Sequence, residues 1–330
     1  MQTPNPTLPR DRFIAALEHR PIIGRVPHFE LVFFLTMEAF GQVHHSQRHY
    51  GQWDQMSEHE RQLHRIAMAD IYIMTAEHYE HDAIFIHPNP GSLDETFRLI
   101  DLIRQRSDDR YFIMMHGDAT FSIPNGDTMM EWSVRLAEDR QGLKDEAARN
   151  VDAMLERARV LREHGGLDGL ALCSDYCFNS GPFLRPAIFA ELVTPYLKTL
   201  IAGERELGYY VIKHTDGNIM PIIDQLVDAN PHALHSIDPQ GHVDIAEVKR
   251  LYGQRVALIG NVNCGLLTTG TDEEVIESAR YALRHGMPGG GYIFSTSNCV
   301  FTGMPLERYH LMLDVWRREG NYTADDWVNN

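Results

Sequence analysis

Cysteine is scarce in this chain. Four thiols in 330 residues are too few for a disulfide scaffold, which leaves burial or metal binding as their chemistry. Positive charge is short as well. With 30 Lys and Arg against 46 Asp and Glu the formal net charge is −16, and attachment to a phosphate backbone or an anionic membrane needs the clustered cations that are missing. Neither nucleic acid nor membrane is expected as a partner. No run approaches the roughly 18 uninterrupted apolar residues of a membrane span, and the opening MQTPNPTLPRDR has no apolar core of signal-peptide length. A soluble, cytoplasmic protein is the expectation. No Pro-, Ser- or Gly-rich linker and no composition shift interrupts the chain, so one domain over 1–330 is expected.

What is present is an alternation of short apolar runs with helical patterns. The runs are Val26–Phe33, Ala83–His87, Phe112–His116, Gly169–Ser174, Tyr210–His214, Ala233–Ile237, Val256–Gly260 and Gly291–Phe294. Helical spacing covers Asp127–Glu163, Pro186–Leu207, Ile219–Ala229, Asp244–Tyr252 and Asp272–His285, the last entered through the acidic first turn Thr271-Asp-Glu-Glu. Strand then helix, repeated about eight times, predicts an α/β fold of the (β/α)8 TIM-barrel type. A doubly wound open sheet calls for a Gly-rich first turn, and Phe34-Leu-Thr-Met is not one. The polar, helical stretch 36–80 reads as an insertion capping one barrel end. The histidines between His44 and His81 fall in it, read as an exposed helical segment, and most need no special role.

Parallel barrel strands deliver their last residues to one face, so polar groups there converge although far apart in sequence. The ends carry His87, then His116 and Asp118, then Cys173, Asp175 and Cys177, then His214 and Asp216, then Asp238, then Asn261, Asn263 and Cys264, then Cys299. In "IKHTDGN" the pair His214-x-Asp216 puts an imidazole and a carboxylate on one strand face, a set that suits zinc. An Asp-Gly turn explains the same residues without a metal. Cys264 and Cys299 read singly as small buried hydrophobes, but with His214 they supply nitrogen and sulfur ligands around an open position. Cys173 reads as packing. Asp175, Tyr176 and His116 read as catalytic or substrate-positioning pocket groups, or as ordinary hydrogen-bonded loop residues.

Three stretches, Arg10 to Pro27, Gly181 to Leu226 and Gly260 to Leu313, together resemble the uroporphyrinogen decarboxylase superfamily, whose members are TIM barrels. Genuine uroporphyrinogen decarboxylases hold an anionic tetrapyrrole with arginines around an N-terminal motif resembling MRQAGR. Here the equivalent region is "PHFELVFFLTMEAFG", with Glu30 and no arginine until Arg48, so a porphyrinogen carboxylate would meet like charge. The other branch of the superfamily contains zinc-dependent methyltransferases that exchange methyl groups with a corrinoid protein, with a His-x-Cys-Gly-Asn motif and a late cysteine. "HTDGN" is similar, with His214, Gly217 and Asn218 in place, Cys299 as the late cysteine, and Asp216 where a thiolate is usual.

The resemblance implies a Zn2+ site with His214 and Cys299 as ligands and Asp216 or Cys264 as the third. It implies methyl transfer between a small molecule, such as a methoxylated compound, and a cobalamin (corrinoid) carried on a separate protein. Two alternatives stay open: a metal-free decarboxylase or lyase using Asp216 or Asp175 as the acid, and a non-catalytic accessory protein of a corrinoid system. The sequence is silent on substrate identity and on the direction of transfer, and admits a homodimer without demanding one.

Overall fold

Buried apolar runs flanked by capped helices build a curled parallel sheet. The computed structural model of the chain describes residues 7–327. Its seven parallel strands are β1 (Ala83–Ile86), β2 (Phe112–His116), β3 (Gly169–Leu172), β4 (Tyr210–His214), β5 (Ala233–His235), β6 (Ala257–Val262) and β7 (Tyr292–Thr296), each paired with its sequence neighbour. Almost every residue in them is buried. Strands covered on both faces must be continuously apolar, which is why they show in the sequence as runs rather than as alternation.

The expected first strand, Val26–Phe33, is not a regular strand. It is an extended segment that touches the sheet through isolated bridges from His28 to Phe294 and from Phe33 to Val300. Even so it fills the eighth place. On one side Phe294 donates its N–H to the Pro27 carbonyl, and on the other Asp82 donates to the His28 carbonyl. The reason for the irregularity is local: Pro27 has no N–H to give, and the His28 N–H goes to the Asp82 side chain at 2.9 Å instead of to a backbone carbonyl. The result is a TIM-barrel-like α/β fold, as the strand–helix alternation predicts.

Helices surround the sheet, and their starts follow sequence signals. Ser57 with Glu60, and Thr271 with Glu274, form reciprocal capping boxes at the starts of the helices Glu58–Tyr79 and Asp272–Gly286. The predicted helix over Asp127–Glu163 is two helices, Met129–Glu138 and Arg140–His164, broken where Asp139 leaves helical geometry and caps the second through Gly142 N–H. Pro186–Leu207 likewise divides at Val193.

Stretch 36–80 also differs in detail from the reading of its sequence. Residues 36–56 lie against the C-terminal end of β1, where His45 Nε2 meets the His87 carbonyl at 2.8 Å and Asn89 Nδ2 donates to the carbonyls of His45 and Arg48. Glu58–Tyr79 is one long helix packed on β1 and on the helix Leu93–Arg106. The segment is not uniformly exposed: His44, His45 and His81 are buried. Burial holds their rings neutral, with His44 pushed down to about 2 and His45 to about 4. Among the described residues no helix is long and apolar enough to cross a membrane.

Candidate metal centre

Polar groups are buried on both faces of the sheet near its C-terminal end: His28, Glu30, Lys213, His235, Ser295 and Thr296. Each group is paired. Lys213 Nζ donates to Asp118 Oδ2 at 2.9 Å and to the carbonyls of Leu172 and Ser174, and lies 4.2 Å from the centre of the Tyr176 ring. Asp118 accepts in addition from Thr120 N–H, Thr120 Oγ–H and Ser174 N–H. Its carboxyl therefore sits below the usual range although burial pushes the other way.

At the mouth, the end of β4 delivers His214 and, two residues on, Asp216. The ligand atoms of His214, Asp216 and Asp175 all lie within 4.8 Å of one another. His214 Nε2 stands 3.9 Å from Asp175 Oδ1 and 3.7 Å from Asp216 Oδ1. The other ring nitrogen, Nδ1, is 2.6 Å from His235 Nδ1, because β4 and β5 pair in parallel with His214 opposite His235. Burial, then Lys213, pushes the His214 ring down to about 3. Burial, then Asp175, pushes the Asp216 carboxyl up to about 7.

Both Asp216 oxygens are held. Ser236 Oγ donates to Oδ1 at 2.8 Å, and Asn298 Nδ2 donates to Oδ2. Ser236 reaches it from a backbone with φ of 90°, a conformation that L side chains seldom adopt. The Asp175 side chain is 47% exposed, so the set opens to solvent on that side.

Gly217 answers why the strand ends in Asp-Gly. Its φ is +78°, and a Cβ there would lie 2.6 Å from the Cys177 carbonyl oxygen and 2.7 Å from that of Phe178. Its N–H is taken by Asp238 Oδ2 at 3.0 Å. Gly241, in the next loop, comes so close that its Cβ would stand 2.2 Å from the Gly217 carbonyl carbon. Gly241→Ala is therefore expected to push the loop 215–218 out of place. The expected cost is about 1–3 kcal/mol of stability, the range for overpacking. Thermal unfolding checks it.

The remaining residues singled out by sequence are distributed around this set. Cys264 Sγ accepts the Asn298 N–H at 3.2 Å and lies 3.7 Å from the Cys299 carbonyl oxygen. The Cys299 thiol is pushed up to about 12 by burial, then by Cys264, Asp216, Glu30 and Asp175, which places it in the field of both carboxylates. Neither sulfur belongs to the set within 4.8 Å. Tyr176 is buried and its hydroxyl is 2.6 Å from Thr120 Oγ1. The His116 ring packs edge-on against Phe85 and His87, and acts electrostatically on His214.

Sequence spacing assigns Asp175 to substrate positioning, whereas its carboxylate is within ligand reach of the other two groups. The sequence places His235 and Ser236 in the run Ala233–Ile237, but carries no signal that assigns either of them to the site.

A family model described as uroporphyrinogen decarboxylase (URO-D) matches residues 91–319, about 70% of the chain, across the strands and loops that build this mouth. The chain belongs to the uroporphyrinogen decarboxylase (URO-D) family. Among solved structures, a methyltransferase from Methanosarcina mazei superposes with a TM-score of 0.72 at 16% identity, covering 95% of this chain and 99% of that one. At that identity the likeness establishes the fold. An N-acetylneuraminate lyase from Mycoplasma synoviae is similar at a TM-score of 0.40 and 11% identity, over 83% of this chain and 69% of that one. A search of curated protein sequences finds no match. For this URO-D family member, membership fixes the architecture and leaves the chemistry to the site.

Proposed function

We propose that this URO-D family member is a zinc-dependent methyltransferase that moves a methyl group between a small molecule and a corrinoid held by a separate protein. The observation that carries the reading is the convergence of Asp175, His214 and Asp216 at the open end of the barrel. The likeness of nearly the whole chain to a methyltransferase adds support.

The residues fit a divalent cation by the chemistry of the donor set. One neutral imidazole and two carboxylates are donors that zinc takes. Burial first, and then repulsion from Asp175, raises the Asp216 carboxyl to about 7, and a cation between the two carboxylates relieves that repulsion. Asp216 takes the third place rather than Cys264, whose sulfur is engaged by the Asn298 N–H. Cys299 is the thiol next to the set, and the exposed side of Asp175 leaves room for substrate. An ion with nitrogen and oxygen donors supplies Lewis acidity toward a methyl-bearing heteroatom.

The chain's own residues orient and exclude. Ser236 and Asn298 fix the Asp216 carboxylate, and His235 holds the His214 ring. Residues 36–56 cover the edge of the mouth at β1. Asp175 faces solvent and contacts an entering substrate first.

The test is metal analysis of the purified protein together with methylation of cob(I)alamin by a panel of methoxylated donors. About one zinc per chain and turnover of at least one donor are expected. No bound metal, with decarboxylation of a carboxylate substrate instead, would favour a second reading, in which Asp175 and Asp216 work as the acid of a metal-free decarboxylase. That reading draws on the URO-D family match and on the same pair of carboxylates.

A further inference from the structure

We propose that His235 is a positioning residue that fixes the tautomer of His214, so that the bare Nε2 of His214 faces Asp175 and Asp216. The inference rests on the metal-site reading above and adds to it the residues that prepare the site before any ion arrives.

The two rings face each other through Nδ1 at 2.6 Å, so one proton lies between them. Both rings are buried, at 5% and 1% exposure, which disfavours an imidazolium and leaves each with a single N–H. Which ring donates is decided on the far side of His235. There Ser295 Oγ lies 3.5 Å from Nε2 and gives its own proton to Glu30 Oε2 at 3.2 Å.

With its proton directed to Glu30, the Ser295 oxygen presents a lone pair to the ring, so with Nδ1 turned to His214 the proton of His235 sits on Nε2. His235 Nδ1 is then the acceptor, and His214 must donate from its own Nδ1. The lone pair of His214 is left on Nε2, the atom 3.7 Å and 3.9 Å from the two carboxylates. Had the polarity been reversed, Nε2 would carry a proton and could not bind a cation.

Glu30 anchors the far end. Thr296 gives it both its N–H and its Oγ–H, the latter at 2.5 Å, and Ser295 Oγ donates to it at 3.2 Å. Three hydrogen bonds from successive residues hold the end of β7 against the first segment of the barrel. They keep the Ser295 hydroxyl where His235 meets it. A ligand histidine whose second nitrogen is held by an oriented partner is general in metal sites. Here the partner is a second histidine with its own fixed polarity.

The experiment uses the full chain with 15N-labelled histidine and no metal. Imidazole nitrogen shifts are expected to show His214 with its proton on Nδ1 and Nε2 bare. In zinc titrations against a chromophoric chelator, His235→Leu is expected to weaken binding by about 10–100-fold. His235→Asn, whose Oδ1 can stand where Nδ1 was and accept, is expected to recover most of that loss. Thermal unfolding of each variant keeps a folding defect apart from a loss of affinity. The proposal is overturned if His214 of the wild-type chain carries its proton on Nε2, or if a folded His235→Leu binds zinc as tightly as the wild type. A wild-type chain that binds no zinc overturns the metal reading, and the nitrogen shifts then decide the tautomer by themselves.

Discussion

On the proposed function, His214→Ala is expected to leave a folded protein that binds no zinc and transfers no methyl group. The imidazole is the one nitrogen donor in the set with Asp175 and Asp216. Without it two carboxylates remain, and two oxygen donors close together no longer discriminate in favour of zinc. Changes in the residues around a metal site already cost about 10–100-fold in affinity or activity, so loss of a ligand is expected to cost more than about 100-fold. Fold stability should fall by about 1–3 kcal/mol in the metal-free state, because removing the ring leaves the buried His235 Nδ1 without its partner. Metal content, cob(I)alamin methylation and circular dichroism on the same preparation check the three parts. Full zinc occupancy in the variant would place the ion elsewhere.

Lys213→Ala is expected to be the most destabilising single change near the mouth. Its ammonium is completely buried, with Asp118 at 2.9 Å and two carbonyls as further acceptors. Truncation leaves the Asp118 carboxylate buried without its counter-charge, and breaking such a pair costs about 3–5 kcal/mol. That is a large share of the roughly 5–15 kcal/mol by which domains are stable. Lys213→Met combined with Asp118→Asn removes both charges and should recover part of the loss. Denaturant unfolding of the single and double variants measures the difference.

The pH dependence follows from the same pair. Burial alone would raise Asp118, yet Lys213 and the Thr120 donors bring it below its ordinary value. A carboxylate with a depressed folded value contributes stability above its unfolded pKa of about 3.9. The contribution is lost as the pH falls through the lower folded value. Wild-type stability should therefore fall on acidification below about pH 4, and this component should be missing from Lys213→Ala.

Parts of this architecture can be read directly along the chain. The strand ends are legible because a parallel strand buried on both faces is an apolar run, and the first polar residue after it marks the mouth. His214 and Asp216 stand out for that reason, and the URO-D character is carried by long contiguous stretches. The first strand misleads because Val26–Phe33 has the composition of a strand while Pro27 and the Asp82 side chain interrupt its ladder. The helix over Asp127–Glu163 misleads because Asp139 looks like an exposed helical residue until its side chain caps the next helix.

Histidines 232 and 235 show where the reading stops. In "PHALHS" His232 stands before the apolar run Ala233–Ile237 and His235 inside it, but neither position says which group on a neighbouring strand the ring will meet. In the sheet His232 Nδ1 accepts the Val211 N–H at 2.9 Å, a structural role at the start of the strand, whereas His235 meets His214 at its end. Glu30 is an equally plain case. It reads as a charge that would repel an anionic substrate, and its partners on Thr296 and Ser295 lie 265–266 positions away.

By itself the sequence determined the alternation of strands and helices, the acidic balance, and the placing of an imidazole and a carboxylate after the fourth sheet strand. Those are properties of residues close together in the chain, set by burial and by the period of the strand. Tertiary structure decided that Asp175 joins His214 and Asp216, that Cys264 turns its sulfur to the Asn298 backbone, and that the His235 ring meets the His214 ring. The physical reason is that these contacts depend on inter-strand register and on closure of the barrel, which bring together groups from separate strands and loops.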